Sequence, residues 1–305
     1  MNILSTIIPV FIVIFIGWAA RQKDFLSDTF ITQANRLVYH LAIPAMVFIS
    51  IAGTDLTAQI NIYILIIAFF SLGICAAAAW LISRKIVTNR SSMGTFIQSS
   101  FHGNLGYIGF AVAYYYLGAQ GLVKAAILAG FVMILQNILA VIILQYYSDG
   151  PGSSHTFFPT FKKAVANPVI LSALAGILFS LLDLELWLIV QRALEILKGM
   201  ALPLALLIIG ASLSFNTLKP NAVKVIVTSC LKLVFMPALA LICFAAFSIP
   251  KSDFLPALII LAAPSATLTY ILAKEIGGDP DLAGTAISIS TLLSGISYIM
   301  WLSLV

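Results

Sequence analysis

Ten apolar runs, most of them about as long as a bilayer's hydrocarbon core is thick, leave this chain little choice of fold. A helix needs roughly 20 apolar residues to cross about 30 Å of hydrocarbon. Such runs lie at 3–20, 31–51, 60–82, 93–116, 121–147, 164–182, 188–213, 222–247, 254–273 and 282–304. They are continuously apolar and so read as helices, whereas strands of a membrane barrel would alternate over about ten residues. Charged residues are 9% of the 305. A soluble domain carries about a quarter, so this chain cannot cover a water-facing surface. The expectation is an all-α integral membrane protein with ten transmembrane helices.

Lys and Arg set its orientation. The connections after the odd-numbered runs gather 11 of them, those after the even-numbered runs only Lys124, Arg192, Lys198 and Lys251. The positive-inside rule then puts the odd connections in the cytoplasm and both termini outside, in a multi-pass protein of the cell membrane. The net charge of +5 therefore reports topology. Nucleic acid is excluded as a partner, because no folded basic surface exists to bind it. Met1 and Asn2 lack the positive region of a signal peptide, so the first run reads as a span. Cys75, Cys230 and Cys243 all fall within runs and read as small packing residues.

The longest polar stretch, 148–163 (SDGPGSSHTFFPTFKK), reads as a cytoplasmic linker. It divides the chain into 1–147 and 164–305, each with five runs. Five crossings per half force the halves into opposite orientations, as in an inverted repeat. Corresponding runs carry corresponding breakers. The second run of each half has a proline after a polar segment, Pro44 and Pro203, both read as hinge or packing points. The fourth run of each half is interrupted near its middle, by HGNLG (His102–Gly106) and by APSA (Ala263–Ala266).

Unwound backbone at membrane depth is tolerated only where it is buried in protein or faces a watery cavity. If the two breaks cross, four helix ends meet near the midplane. Half-helix N-termini carry partial positive charge and free N–H donors, so a carboxylate is stabilised there without a formal cation. The candidate substrate-binding residues are Gly103, Asn104 and Gly106 in the first break and Pro264 and Ser265 in the second, with His102 and Thr267 beside them. Lys232, about ten residues into the eighth run, joins them as a buried cation that could neutralise an anion; the bland alternative is a lysine that snorkels to the surface. No catalytic or metal-ligating pattern is present. The chain has no H-E-x-x-H, its Ile276-Gly277-Gly278-Asp279 lacks the first glycine of a G-x-G-D signature, and no phosphate-binding loop occurs. No cofactor is expected, and coupling to protons or sodium stays open.

The segments HGNLGYIGFAVAYYYLG (102–118), ANPVILSALAGILF (166–179), ALPLALLIIGASLS (201–214) and APSATLTYILAKEIGGDPDLAGTAISISTLLS (263–294) resemble the auxin efflux carrier family. That family includes the plant PIN-FORMED carriers and shorter bacterial permeases, and the short linker is similar to the bacterial type. The resemblance covers nearly the whole chain. It implies a scaffold domain and a transport domain holding crossed broken helices 4 and 9, in the fold of bile acid:sodium symporters and sodium/proton antiporters. It also implies small organic anions as substrates, either auxin-like monocarboxylates or malate/malonate-type dicarboxylates, and a homodimer through the scaffold domain. In the family an asparagine in the fourth helix and a proline at each break mark the substrate site; Asn104 and Pro264 match, but no proline follows Asn104 here. The expected function is an elevator-type secondary carrier that exports such anions. A non-transporting membrane sensor or a channel that binds a small carboxylate is the competing reading.

Overall fold

The computed structural model describes residues 3–54, 61–148, 166–215 and 218–305. The sequence-predicted linker lies outside these, apart from Ser148. The described chain is helical. In order it contains α1 (Ile3–Gln22), α2 (Asp28–Leu37) continuing into α3 (Ile43–Ala52), α4 (Ile62–Ile86), α5 (Arg90–Phe101), α6 (Phe110–Tyr147), α7 (Pro168–Leu181), α8 (Leu188–Ala211), α9 (Leu218–Cys230) continuing into α10 (Met236–Ala246), α11 (Lys251–Leu261), α12 (Leu268–Ile276) and α13 (Pro280–Leu304). Among the described residues there is no strand, only one isolated antiparallel bridge between Gly103 and Ser265.

Among the described residues, seven helical stretches are long and apolar enough to cross a membrane: 3–22, 28–52, 62–86, 105–147, 188–211, 218–246 and 280–304. They are fewer than the ten apolar runs for physical reasons. The runs at 93–116 and 254–273 are each split by a break. The remainder of the first joins the next run in one helical stretch bent at Gly118, where φ is +71°. α7 has only 14 residues. Large apolar side chains such as Ile12, Phe15, Phe70, Leu178, Ile242 and Ile296 face outward. Many serines and threonines, among them Thr95, Ser99, Ser100, Thr291 and Ser294, are buried instead. That is the polarity of a protein solvated by lipid.

Local chemistry decides where helices start. Side-chain oxygens of Ser27, Asn61, Asn89, Asn167 and Asp279 each accept an N–H from the first turn of the helix that follows. The Gly277–Asp279 turn, which comes near an aspartyl signature in sequence, is a stop and a start: Gly277 takes the left-handed conformation that ends α12 (φ +90°) and Asp279 caps α13.

Among the described residues, three π-helical turns mark where prolines and breaks distort the helices. Val38–Ala42 joins α2 to α3 just before Pro44, Leu105–Gly109 opens α6, and Leu231–Phe235 joins α9 to α10 just before Pro237. Pro237 offers no N–H, and its ring crowds the carbonyl of Leu233 four residues back. The wider turn relieves the crowding, and the freed Leu233 carbonyl is taken by Ser297 Oγ and Trp301 Nε1, each at 2.8 Å. Pro203 sits inside α8 and faces outward, whereas Pro44 is half-buried. α1 and α8 pack backbone to backbone through glycines: a Cβ at Gly210 would collide with the Ile14 carbonyl, and one at Gly17 with the Leu207 carbonyl.

Candidate functional site

The two breaks pair with each other. Asn104 N donates to Pro264 O at 2.7 Å, and Ala266 N donates to His102 O at 2.9 Å. This two-bond bridge satisfies backbone that the interrupted helices leave open. Ser265 is held from both sides, its N–H by Ser290 Oγ (3.1 Å) and its own hydroxyl on the Ser99 carbonyl (2.7 Å). Gly103 is clamped on its other edge by Gln136 of α6. The Gln136 carboxamide accepts from Gly103 N at 3.1 Å and donates to Gly103 O at 3.2 Å, so one side chain replaces a strand.

A cavity of about 520 Å³ opens at this crossing. Three helix N-termini end on it: Leu105–Tyr107 opening the α6 stretch, Thr267–Leu268 opening α12, and Asn167–Val169 opening α7. The first N–H groups of a helix have no partner within it and carry the positive end of its dipole. Asn104 is only 5% exposed, and its Nδ2 has no hydrogen-bond partner. A buried amide left unmet at a cavity wall is a donor waiting for an acceptor. Around it stand Arg36, Tyr39 and His40 from α2 and the turn after it, Gln136 and Asn137 from α6, and Glu275 from α12. Tyr107 Oη donates to Asn35 Oδ1 at 2.7 Å, which ties the opening of α6 to α2. The His102 ring lies beside the Gln98 side chain (Nδ1···Nε2 3.3 Å).

Residues 2–157 and 155–302 match the family described as "Membrane transport protein". The chain belongs to that family, the auxin efflux carriers. Three similar transporters span nearly the same length. An uncharacterised transporter of Methanothermobacter thermautotrophicus is 26% identical over 99% of this chain and 98% of its own. A Rhizobium meliloti protein, provisionally named a malonate transporter, is 25% identical over 96% and 92%. An uncharacterised transporter of Methanocaldococcus jannaschii is 22% identical over 98% and 97%. With its apolar helices, this family membership makes the chain a multi-pass membrane transporter.

Of the residues singled out in the sequence of this carrier, His102, Gly103, Asn104, Gly106 and Thr267 line the cavity. Pro264 and Ser265 do not; their backbone and hydroxyl groups build the crossing. Lys232 does not line it either. Its side chain is 0% exposed, so it does not snorkel, and its ammonium donates to the Leu261 carbonyl at 2.7 Å. Pro44 and Pro203 lie away from the cavity wall. Sequence reasoning overlooked Gln136 and Asn137, although two consecutive carboxamides in the apolar ILQNIL segment of α6 are a signal in themselves. It also left Asn35, Arg36 and Tyr39 as a polar approach to a span, whereas they form a wall of the cavity.

Proposed function

We propose that this protein is a secondary carrier of small organic anions, with the carboxylate held at the crossing by the Asn104 amide and the N-terminal ends of the α6 and α12 stretches. The observation that carries this reading is the unpartnered Asn104 Nδ2 on a cavity wall shared by helix N-termini. A carboxylate supplies what that wall lacks: acceptor oxygens and negative charge. Monocarboxylates and short dicarboxylates such as malonate or malate are the substrate class, and the name of the Rhizobium relative points the same way.

In this reading the chain crosses the membrane ten times as two inverted five-helix repeats. Two parallels support it. α1 packs on α8 through Gly17 and Gly210, while in the complementary pairing of the other half's first helix, a Cβ at Gly176 of α7 would lie 3.0–3.1 Å from Ile51 and the Phe48 carbonyl of α3. Both broken helices are interrupted at equivalent places and answer each other's backbone. The cavity carries Arg36, Asn167 and Glu275, residues at the cytoplasmic end by the distribution of Lys and Arg, so the conformation is inward-open. Alternating access then moves the crossing against α1, α2–α3 and α8. Moving one negative charge outward gains about 2.3 kcal/mol per 100 mV, inside negative, which drives export without a coupled ion.

The test is flux of radiolabelled malonate, malate and indole-3-acetate in proteoliposomes, with sodium, proton and voltage gradients imposed in turn. A hydrogen bond to a charged group is worth about 1.5–3 kcal/mol, so Asn104→Ala is expected to weaken apparent affinity on the order of tenfold or more. Flux unchanged by Asn104→Ala moves the substrate away from the crossing and refutes the reading.

A further inference from the structure

The end of α11 leaves four carbonyls to be satisfied, as any helix C-terminus does. Leu258 O accepts from Ala262 N, Ile260 O from Ala263 N at the start of the break, and Ile259 O from Tyr298 Oη at 3.1 Å. The last, Leu261 O, is met by the Lys232 ammonium at 2.7 Å. Two backbone N–H groups, one hydroxyl and the Lys232 side chain thus close this helix end. Among the described residues no carboxylate pairs with Lys232; Arg21–Asp28 and Lys124–Asp253 are ion pairs elsewhere. Its titratable neighbours are the Cys75 thiol, which donates to Ser100 O at 3.2 Å, and the His102 imidazole. A buried cation without a counter-ion is costly in a membrane. Its compensation here is the negative end of the α11 dipole.

The ammonium also presses against the crossing. A Cβ on Gly103 would lie 3.2 Å from both Lys232 Nζ and its Cε. Gly103 borders the cavity as well. The absence of a side chain at this position lets Lys232 Nζ approach the cavity wall from behind, separated from it by one thickness of backbone. The wider turn at Leu231–Phe235 sets the register that points Lys232 there. Carriers with broken helices bind their coupling cations at half-helix C-terminal ends. In this chain that position holds a side chain.

We propose that Lys232 is a built-in counter-cation: a positioning residue whose ammonium occupies the coupling-cation position at the end of α11 and provides, through Gly103, the positive charge that a bound carboxylate needs. The proposal rests on the reading that the carboxylate sits at the crossing. Its consequence is that anion binding is independent of sodium, and that removing Lys232 creates such a dependence.

The experiment compares wild type, Lys232→Ala and Lys232→Met in detergent, measuring malonate affinity and melting temperature in choline, sodium and methylammonium chloride. Wild type is expected to bind malonate equally in all three. Lys232→Ala is expected to bind about tenfold more weakly or worse in choline, as for loss of a nearby unit charge in a water-poor site. Methylammonium or sodium, entering the vacated space, is expected to restore much of that affinity. Lys232→Met fills the space without the charge and is expected to stay weak in every salt, which keeps the test informative where the alanine variant folds poorly. Sodium-dependent binding by wild type overturns the proposal. So does wild-type affinity in either variant, and so does a weakened alanine variant that no small cation restores. If wild type binds no malonate, the carboxylate reading fails separately and melting decides: cation-dependent stabilisation of Lys232→Ala alone upholds the occupied cation position, and its absence refutes it.

Discussion

Gln136 offers the sharpest test of how the crossing is held. Replacing it by Met, of similar volume but without the amide, removes bonds of 3.1 and 3.2 Å and strands the N–H of Gly103, while the Gly103 carbonyl keeps the Leu105 N–H at 3.0 Å. An unmet buried polar group costs about 1–3 kcal/mol, which bounds the loss at the Gly103 N–H. Gly103 borders the cavity, and water there can partly replace the lost partners, which favours the lower end. A loss of about 1.4 kcal/mol corresponds to a roughly tenfold shift in equilibrium. It should appear as a lower melting temperature in detergent together with weaker anion binding, because the same backbone shapes the Asn104 wall. Gln136→Glu keeps an acceptor for Gly103 N but sets an oxygen against Gly103 O, so it is expected to do no better. Should Gln136→Met melt and bind like wild type, the carboxamide would be ornamental and the account of the crossing wrong.

Two further outcomes follow from contacts already described. Tyr107→Phe removes the 2.7 Å bond to Asn35 that spans from the α6 opening to α2; a loss of about 1 kcal/mol is expected to change the maximal rate of flux several-fold while affinity for the anion changes little, and a pure affinity change would refute a linking role. Gly210→Ala forces a methyl group into the Ile14 carbonyl; overpacking of this kind costs about 1–3 kcal/mol, so the variant is expected to melt lower than wild type, and an unchanged melting temperature would mean that α1 and α8 can separate freely.

What the sequence makes legible is local. Apolar runs announce helices because burial in lipid is a property of each segment taken alone. The breaks at HGNLG and APSA are visible because Gly and Pro weaken a helix wherever they occur. Asn104 stands out as a carboxamide inside the first of them. The rest depends on partners far along the chain. Nothing near Gly103 says that Gln136, 33 residues away, clamps it. Lys232 illustrates the same limit: its depth in an apolar run can be read, but which side of the crossing it meets depends on an extra residue in the turn before Pro237 and on the packing of α9 against α5. Pro237 predicts a disturbance, not the wider turn that absorbs it. The cavity wall from α2 was obscured because Asn35, Arg36 and Tyr39 look like the solvated start of a helix until another helix is placed opposite.

The bridge between Gly103 and Ser265 also has a bearing on how the protein is made. It joins a segment of the first half to one synthesised near the end of the chain. A nascent first half therefore enters the bilayer with the His102 carbonyl and Asn104 amide unanswered, a state that hydrocarbon does not tolerate for long. Gln136, already present in that half, can hold Gly103 in the meantime. The outer rows of the break must wait for residues 264–266. Insertion and completion are thus separate events for this carrier, and a ribosome stalled between the halves leaves in the membrane a polar seam that a quality-control protease could recognise.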